Sequence, residues 1–192
     1  ERRCDTDRGE GSFTLPYPLL EISMKHLSID IETYSETDIK LGIAKYAEDP
    51  AFEVLLFAYA YDFGEVHVVD LAQSETIPAA VIADLTNPDV VKHAYNAAFE
   101  IQCLLRAGFD IRPAAWACTM IHGAYLGLPA ELSKIGAALK LPQDKKKLAS
   151  GTALIRYFCV PCKPTKRNGG RTRNLPKHDL EKWALFKEYN AQ

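Results

Sequence analysis

Two acidic residues, Asp30 and Glu32, lie two positions apart in a segment where polar and apolar residues alternate. This alternation predicts a strand that directs Leu27, Ile29 and Ile31 to one face and both acids to the other. The Cα atoms of such a pair are roughly 6–7 Å apart, so both carboxylates can reach one pair of metal ions. The polar face of an edge strand would explain the same pattern. Burying charge near the middle of a sheet is costly unless the charge is paired or metal-bound, which favours a functional site.

A third acid, Glu100, follows Asn96 by four residues, where a predicted strand ends and a helix begins. Asn is a common N-cap and Glu is favoured in a first helical turn, so a structural role also explains both residues. Ligand sites of α/β sheets assemble at such strand ends, which places Glu100 where it can join the first two acids. Tyr189 lies on a helical segment further along the chain, where a buried aromatic side chain would be equally ordinary.

The net charge of −2 conceals a strongly basic segment between residues 145 and 177, which contains ten basic residues and no acid. The rest of the chain then has 13 basic against 25 acidic residues, a net charge of −12. A run of this kind is often a solvated, disordered loop. Its Thr, Asn and Gly residues also suit phosphate oxygens, which favours a loop facing nucleic acid. The basic residues are Lys145, Lys146, Lys147, Arg156, Lys163, Lys166, Arg167, Arg171, Arg173 and Lys177.

The composition is that of a folded protein with one domain. A chain of 192 residues, 47% hydrophobic and 25% charged, is long enough for one sizeable core. It has no apolar run long enough to cross a bilayer, and Pro16, Pro18 and Glu21 interrupt its most apolar N-terminal stretch. We therefore expect a cytoplasmic protein without a membrane partner. We also expect residues 1–23 to be a poorly structured arm and residues 24–192 to form the domain.

The five cysteines are an odd number in a chain that is large enough to fold without disulfides, so we expect reduced thiols. Only Cys159 and Cys162 have the spacing of metal ligands, and His178 could supply a third. A structural zinc ion normally has four ligands. A small zinc-stabilised domain is therefore one hypothesis, and a plain loop is the alternative.

Hydrophobic patterning predicts strands before helices around one mixed sheet. Asp62-Phe-Gly64 predicts a hairpin turn, and Asp179 the N-cap of the last helix, with Glu181 in its first turn. We expect Ile101, Leu104 and Leu105 to form the buried stripe of the third helix. The predicted strands are residues 26–32, 54–61, 65–71, 90–95 and 115–118. The predicted helices before the last are residues 41–47, 78–85, 96–107, 121–126, 131–139 and 146–158.

Three segments could perform chemistry: the strand with Asp30 and Glu32, the helix start from Asn96 to Glu100, and the helix with Tyr189. In this order they resemble the 3′→5′ exonuclease (proofreading) domain of phage-type family A DNA polymerases. The family has four acids and, in one version, a catalytic tyrosine. Its first motif is similar to Asp30-Ile-Glu-Thr33, and its second to Asn96-Ala-Ala-Phe-Glu100, with Glu in place of the usual Asp. The third, Tyr-x-x-x-Asp, begins at Tyr189, and its acid would stand one position beyond Gln192. The histidine version is excluded, because Trp183 stands where the acid after His178 would be.

The sequence between the motifs is also similar to that of phage-type polymerases, so the resemblance extends across residues 24–192. Similar stretches are Tyr125-Leu-Gly-Leu-Pro-Ala130, residues 161–166 and residues 168–174. The resemblance implies an α/β protein with a ribonuclease-H-like exonuclease fold, in which helices flank a central mixed five-stranded sheet. It also implies that this domain is truncated in its C-terminal helix and that the polymerase domain belongs to the same parent chain.

The implied chemistry is hydrolysis of phosphodiester bonds at single-stranded DNA 3′ ends by two divalent cations, Mg²⁺ or Mn²⁺, which prefer carboxylate oxygens. By resemblance, Asp30 bridges both ions, Glu32 binds the nucleophile-side ion, and Glu100 holds the second. Tyr189 would hydrogen-bond the attacking water. Thr33, Asn96 and Phe99 would contact the terminal nucleotides, with the Phe99 ring available for stacking. Backbone phosphates would meet the loop residues Lys163, Lys166, Arg167, Arg171 and Arg173.

A different class of function also fits these residues. The fourth acid of the family is absent from these 192 residues, and Glu100 replaces the usual Asp. Both features are compatible with a nucleic-acid-binding module on the same scaffold that no longer cuts. Cleavage of a labelled 3′ end in Mn²⁺ distinguishes this module from a nuclease.

Overall fold

The computed structural model of the chain describes residues 24–111, 115–141 and 151–191. The predicted N-terminal arm and Lys145, Lys146 and Lys147 lie outside the described residues. One five-stranded sheet has the strand order β3-β2-β1-β4-β5. Its strands are β1 (Lys25–Tyr34), β2 (Glu53–Tyr61), β3 (His67–Asp70), β4 (Val90–Ala94) and β5 (Trp116–Cys118).

The sheet is mixed because β1 separates an antiparallel half from a parallel half. β1 pairs antiparallel with β2, which pairs antiparallel with β3. On its other side β1 is parallel to β4, and β4 is parallel to β5. This arrangement confirms the predicted central mixed five-stranded sheet. The pairing of β1 with β2 shifts register between Glu32 and Thr33, a bulge that the sequence pattern did not predict.

Helices cover both faces of the sheet. In the described ranges they are α1 (Ile43–Ala47), α2 (Ala79–Thr86), α3 (Ala97–Arg106), α4 (Thr119–Tyr125), α5 (Leu132–Ala138), α6 (Gly151–Phe158) and α7 (Leu180–Asn190). The predicted N-cap of the last helix is confirmed, because the Asp179 side chain accepts a hydrogen bond from the Lys182 amide at 3.0 Å. The predicted helix of residues 146–158 is described from Gly151 onward.

The predicted buried stripe of α3 was partly wrong. Leu104 is fully buried, but Leu105 is 43% exposed and Cys103 is fully buried instead. The reason is helical geometry. Buried Glu100 fixes the inward face, and positions three and four residues later return to it, whereas a position five residues later does not. The strand predicted over residues 65–71 is also shorter than expected, because Asp62 and Phe63 adopt positive φ in the turn and pairing resumes at His67.

Two apolar cores lie on opposite faces of the sheet. Leu27, Ile29 and Ile31 belong to the core that includes Tyr46 of α1 and Leu104 of α3. The opposite core joins sheet residues to α6 and α7, and its members are Tyr34, Leu55, Leu56, Leu154, Phe158, Cys159, Trp183, Phe186 and Tyr189. Within the described ranges, no helix is long and apolar enough to span a membrane.

Candidate active site

The carboxylates of β1 point toward the layer formed by α6 and α7. Glu32 is 8% exposed, and the thiol of Cys159, just after α6, approaches its Oε2 at 3.8 Å. Asp30 is half-buried, and its Oδ2 accepts a hydrogen bond of 2.9 Å from the side-chain amide of Asn190 at the end of α7. Both acids therefore lie on one strand face, as predicted, and each contacts a different helix.

The Glu32 and Asp30 carboxylates line two different cavities. Glu32 lines a cleft of about 600 Å³ together with Thr33 and Phe99. Asp30 lines a groove of about 170 Å³ beside Asn190. The cleft thus gathers one residue that the resemblance implies as a metal ligand and two that it implies as nucleotide contacts.

Glu100 is the most deeply buried of the three predicted acids, at 3% exposure. Its Oε2 has no hydrogen-bond partner among the described residues. Burial raises the pKa of Glu100 to about 8, and the nearby charges of Asp30 and Glu32 raise it further, while a backbone hydrogen bond opposes the shift. The effect of both charges on this pKa indicates that Glu100, at the start of α3, lies within electrostatic range of the carboxylates of β1.

The acidic donor set is chemically suited to a hard divalent cation. Carboxylate oxygens are the ligands that Mg²⁺ and Mn²⁺ prefer, and a cation would give Glu100 Oε2 the partner it lacks in the described part of the molecule. Across the described ranges, no three His, Cys, Asp or Glu side chains already form a metal-ligating cluster. The residues present therefore fit the ion in chemical type, and their final arrangement would depend on its binding.

Tyr189 is 4% exposed and belongs to the core between the sheet and α7. Its ring stacks on Phe186, with centroids 6.3 Å apart, and lies flat against Gly151. A Cβ atom added at Gly151 would come within 2.0 Å of the Tyr189 ring. The residue therefore has the packing role of a core aromatic. Because the next residue, Asn190, bonds to Asp30, this end of α7 also lies beside the carboxylates.

The proposed nucleotide contacts have different surroundings. The Thr33 hydroxyl shares a buried hydrogen bond of 2.7 Å with the Tyr46 hydroxyl, and the Phe99 ring lies 6.0 Å from that of Tyr46. Asn96 precedes α3 in a left-handed conformation, with φ 69° and ψ 50°, and its side chain makes no capping hydrogen bond. Asn96 is therefore the N-cap residue of α3, as predicted, but its side chain does not cap the helix. Asn is among the few residues that tolerate this backbone conformation, and such residues cluster at functional sites.

Residues 162–171 of the basic segment form a folded loop, with Asn168 at its centre. The side-chain Oδ1 of Asn168 accepts hydrogen bonds from the backbone amides of Thr165 at 2.8 Å and Gly170 at 3.1 Å. Its side-chain Nδ2 donates to the backbone carbonyls of Lys163 at 2.9 Å and Arg171 at 3.2 Å. Asn168 therefore organises the loop, rather than being free for a phosphate oxygen as the sequence suggested.

The loop's basic residues divide into two groups. Lys163, Lys166 and Arg167 are exposed. Arg171 instead donates from Nε to the Asn174 side chain at 2.8 Å and from Nη1 to the Asn168 backbone carbonyl at 3.0 Å. Arg173 lies 3.9 Å above the Tyr34 ring and forms an ion pair with Glu53.

Two of the residues that fix α7 were not found from the sequence. Asp70, at the end of β3, is 1% exposed and accepts a 2.7 Å hydrogen bond from the indole of Trp183, with the Lys187 ammonium at 3.4 Å. Asn190 provides the contact at the other end of the helix. A buried acid at the end of a short strand gave no pattern that could distinguish it from a turn residue.

The cysteines are free thiols in the described ranges. Cys159 is buried against Glu32, and burial followed by the Glu32 charge raises the pKa of its thiol. The Cys162 thiol approaches the Arg171 carbonyl at 3.4 Å, and His178 Nδ1 accepts a hydrogen bond from the Leu175 amide at 2.9 Å. The three residues of the zinc hypothesis thus have separate partners.

No protein-family model matches this chain. It is 53% identical over 171 residues to a DNA polymerase of Bacillus phage SP02, a match that covers 88% of this chain and 26% of that polymerase. The chain therefore spans about a quarter of the polymerase that it matches. This relative confirms the resemblance to phage-type DNA polymerases.

Two solved structures are similar to this chain. NrnC of Brucella melitensis has a TM-score of 0.49 and 16% identity, over 91% of this chain and 78% of that chain. The EXO domain of Aedes aegypti Nibbler has a TM-score of 0.48 and 15% identity, over 68% of this chain and 64% of that chain.

Proposed function

We propose that this chain, a homologue of one segment of a phage DNA polymerase, is the 3′→5′ exonuclease domain of such an enzyme. It would hydrolyse phosphodiester bonds at single-stranded DNA 3′ ends with two divalent cations, Mg²⁺ or Mn²⁺. The polymerase domain would belong to the same parent chain, and the setting would be cytoplasmic.

One observation carries this proposal. Glu100 is buried with an oxygen that lacks a partner in the described part of the chain, and the charges of Asp30 and Glu32 raise its pKa. Such an arrangement costs free energy in a protein without a cation, because desolvated carboxylates repel one another. A fold retains it where the acids perform chemistry. The adjacent cleft, with Phe99 at its wall, provides space for a nucleotide.

We assign the roles of the acids from the resemblance to the exonuclease family. Asp30, on the central strand, would contact both cations, Glu32 would hold the cation on the side of the attacking water, and Glu100 would hold the other from α3. The cations would supply Lewis acidity toward the scissile phosphate. Tyr189 would orient the water through its hydroxyl, while packing against Gly151 limits the movement of its ring.

DNA would be held without sequence preference. In the cleft, the Phe99 ring would stack on a terminal base, and Thr33 and Asn96 would contact the terminal nucleotides. The exposed Lys163, Lys166 and Arg167 would meet backbone phosphates, which makes binding sensitive to salt. Arg171 and Arg173 would act mainly by holding the loop in shape, because both are already engaged within the protein.

Cleavage of a 3′-labelled single strand in Mn²⁺ tests the function. Three proteins are compared: the chain itself, the chain extended by Asp after Gln192, and the chain extended by Asn as the matched control. We expect Asp to increase mononucleotide release and Asn not to do so, since only a carboxylate adds a fourth acidic ligand. An equivalent RNA strand measures the preference for DNA.

The Asp30→Ala variant of the Asp-extended chain sets the background. If the Asp-extended chain releases no more mononucleotide than this variant while both bind single-stranded DNA, the nuclease proposal is wrong. The protein would then be a nucleic-acid-binding module on the same scaffold.

A further inference from the structure

Asn190 has an unusual environment for the side chain of an asparagine. It is 3% exposed, and its Nδ2 donates a hydrogen bond of 2.9 Å to Asp30 Oδ2. Its Oδ1 is buried without a hydrogen-bond partner among the described residues. Unsatisfied buried amide oxygens are rare in folded proteins and call for an explanation. The amide orientation follows from its neighbour, because the opposite orientation would place two oxygens against each other.

The helix that carries Asn190 is fixed to the sheet at two points. Trp183, seven residues earlier and on the same helix face, donates to Asp70 at the end of β3. Seven residues of α-helix rise about 10.5 Å, and two strand spacings cover about 9.6 Å, so these donors can span the distance from β3 to β1. Both anchors are carboxylates of the sheet, but Asp70 is fully buried whereas Asp30 opens to a groove.

We propose that Asn190 is a positioning residue for Asp30: its amide holds the carboxylate in the orientation in which it receives a divalent cation. The inference rests on the proposed nuclease function for the identity of the ion. The claim that Asn190 orients Asp30 rests on the hydrogen bond between their side chains alone. A neutral donor suits this position, because it restrains the carboxylate without neutralising it as a lysine would.

The consequence concerns metal affinity. Hydrogen-bond partners of metal-binding carboxylates restrict their rotation, and removing such a partner typically costs 10–100-fold in metal affinity or activity. Asn190→Ala should therefore weaken Mn²⁺ binding by about tenfold or more. Asn190→Leu, which keeps the side-chain volume but removes the donor, should have the same effect. The second variant separates loss of the hydrogen bond from loss of packing.

The first measurement is urea unfolding of the 192-residue chain in EDTA. Asn190→Ala and Asn190→Leu should lower the midpoint in the native background and have little effect in an Asp30→Ala background. Equal shifts in both backgrounds would show that Asn190 does not act through Asp30 and would overturn the inference. Neither result depends on nuclease activity.

The second measurement is Mn²⁺ affinity, followed by the loss of the free-ion signal in electron paramagnetic resonance. Trp183→Phe is the matched control, because it loosens the same helix at the Asp70 anchor without touching Asp30. The inference requires weaker Mn²⁺ binding in the Asn190 variants and unchanged binding in the control. Equal weakening in the control would overturn the positioning role, leaving a general effect of helix stability. If the unmodified chain binds no more Mn²⁺ than Asp30→Ala, the proposed function fails, and the positioning role toward a cation fails with it.

Discussion

The buried Glu100 carboxyl predicts how the stability of the protein depends on pH. Its pKa is raised from 4.5 to about 8, first by burial and then by the charges of Asp30 and Glu32. The folded protein therefore binds this proton more tightly than the unfolded chain does. The resulting stabilisation is fully present below pH 4.5 and is lost as the pH rises through about 8. Glu100→Gln replaces the acid by a neutral group of similar shape and should remove this dependence.

The size of the effect follows from the two pKa values. One pKa unit corresponds to about 1.4 kcal/mol, so a shift from 4.5 to about 8 corresponds to about 5 kcal/mol in full. Between pH 5 and pH 9, the native protein should lose about 4 kcal/mol of unfolding free energy relative to the variant. This is a large share of the roughly 5–15 kcal/mol that stabilises a typical domain.

Urea unfolding in EDTA at pH 5, 6, 7, 8 and 9 measures the difference. We expect the unfolding free energies of Glu100→Gln and the native protein to diverge steadily as the pH increases. Glu188→Gln is the matched control, because Glu188 is an exposed acid of α7, and its curve should stay parallel to that of the native protein. A parallel curve for Glu100→Gln as well would refute the reasoning, since Glu100 would then ionise alike in the folded and unfolded states.

Three further outcomes are expected. Gly151→Ala should destabilise the protein to urea by about 1–3 kcal/mol, because the added Cβ would collide with the Tyr189 ring. Asp70→Asn should cost about 1.5–3 kcal/mol, the usual contribution of a hydrogen bond to a charged group, and should shift the fluorescence of Trp183. Alanine in place of any of Lys163, Lys166 or Arg167 should weaken single-strand binding, measured by fluorescence anisotropy. The same replacement should reduce the slope of log affinity against log salt by about one for each phosphate that is no longer neutralised.

The alternation around Asp30 and Glu32 was sufficient to predict β1 and its two faces, because strand periodicity is local. The same holds for the last helix, whose N-cap Asp179 and first-turn acid are defined by neighbouring residues. Hydrophobic patterning predicted five strands around one mixed sheet, and the resemblance, which depended on motif spacing rather than on any single residue, implied the same sheet. These features require no knowledge of distant contacts.

The sequence was less informative where a residue serves two roles or where its partner is distant. Asn96 is of a residue type that commonly caps helices, but it adopts a left-handed backbone conformation and its side chain makes no capping hydrogen bond. Arg173 counted as a basic loop residue, yet it pairs with Glu53, 120 positions away. Leu105 was placed in the core by its apolar character, although helical geometry leaves it 43% exposed.

Residue types, their spacing and the family resemblance were enough to propose the side chains that perform chemistry, namely Asp30, Glu32, Glu100 and Tyr189, and to predict the strand or helix that carries each. The folded arrangement was needed to show that Glu100 is buried near the carboxylates of β1 and that Asn190 holds Asp30. This difference arises because burial, pKa and hydrogen-bond partners come from chain segments far apart in sequence. Local periodicity assigns a side chain to one face of a strand or helix. The packing of helices on the sheet decides which residues contact that face.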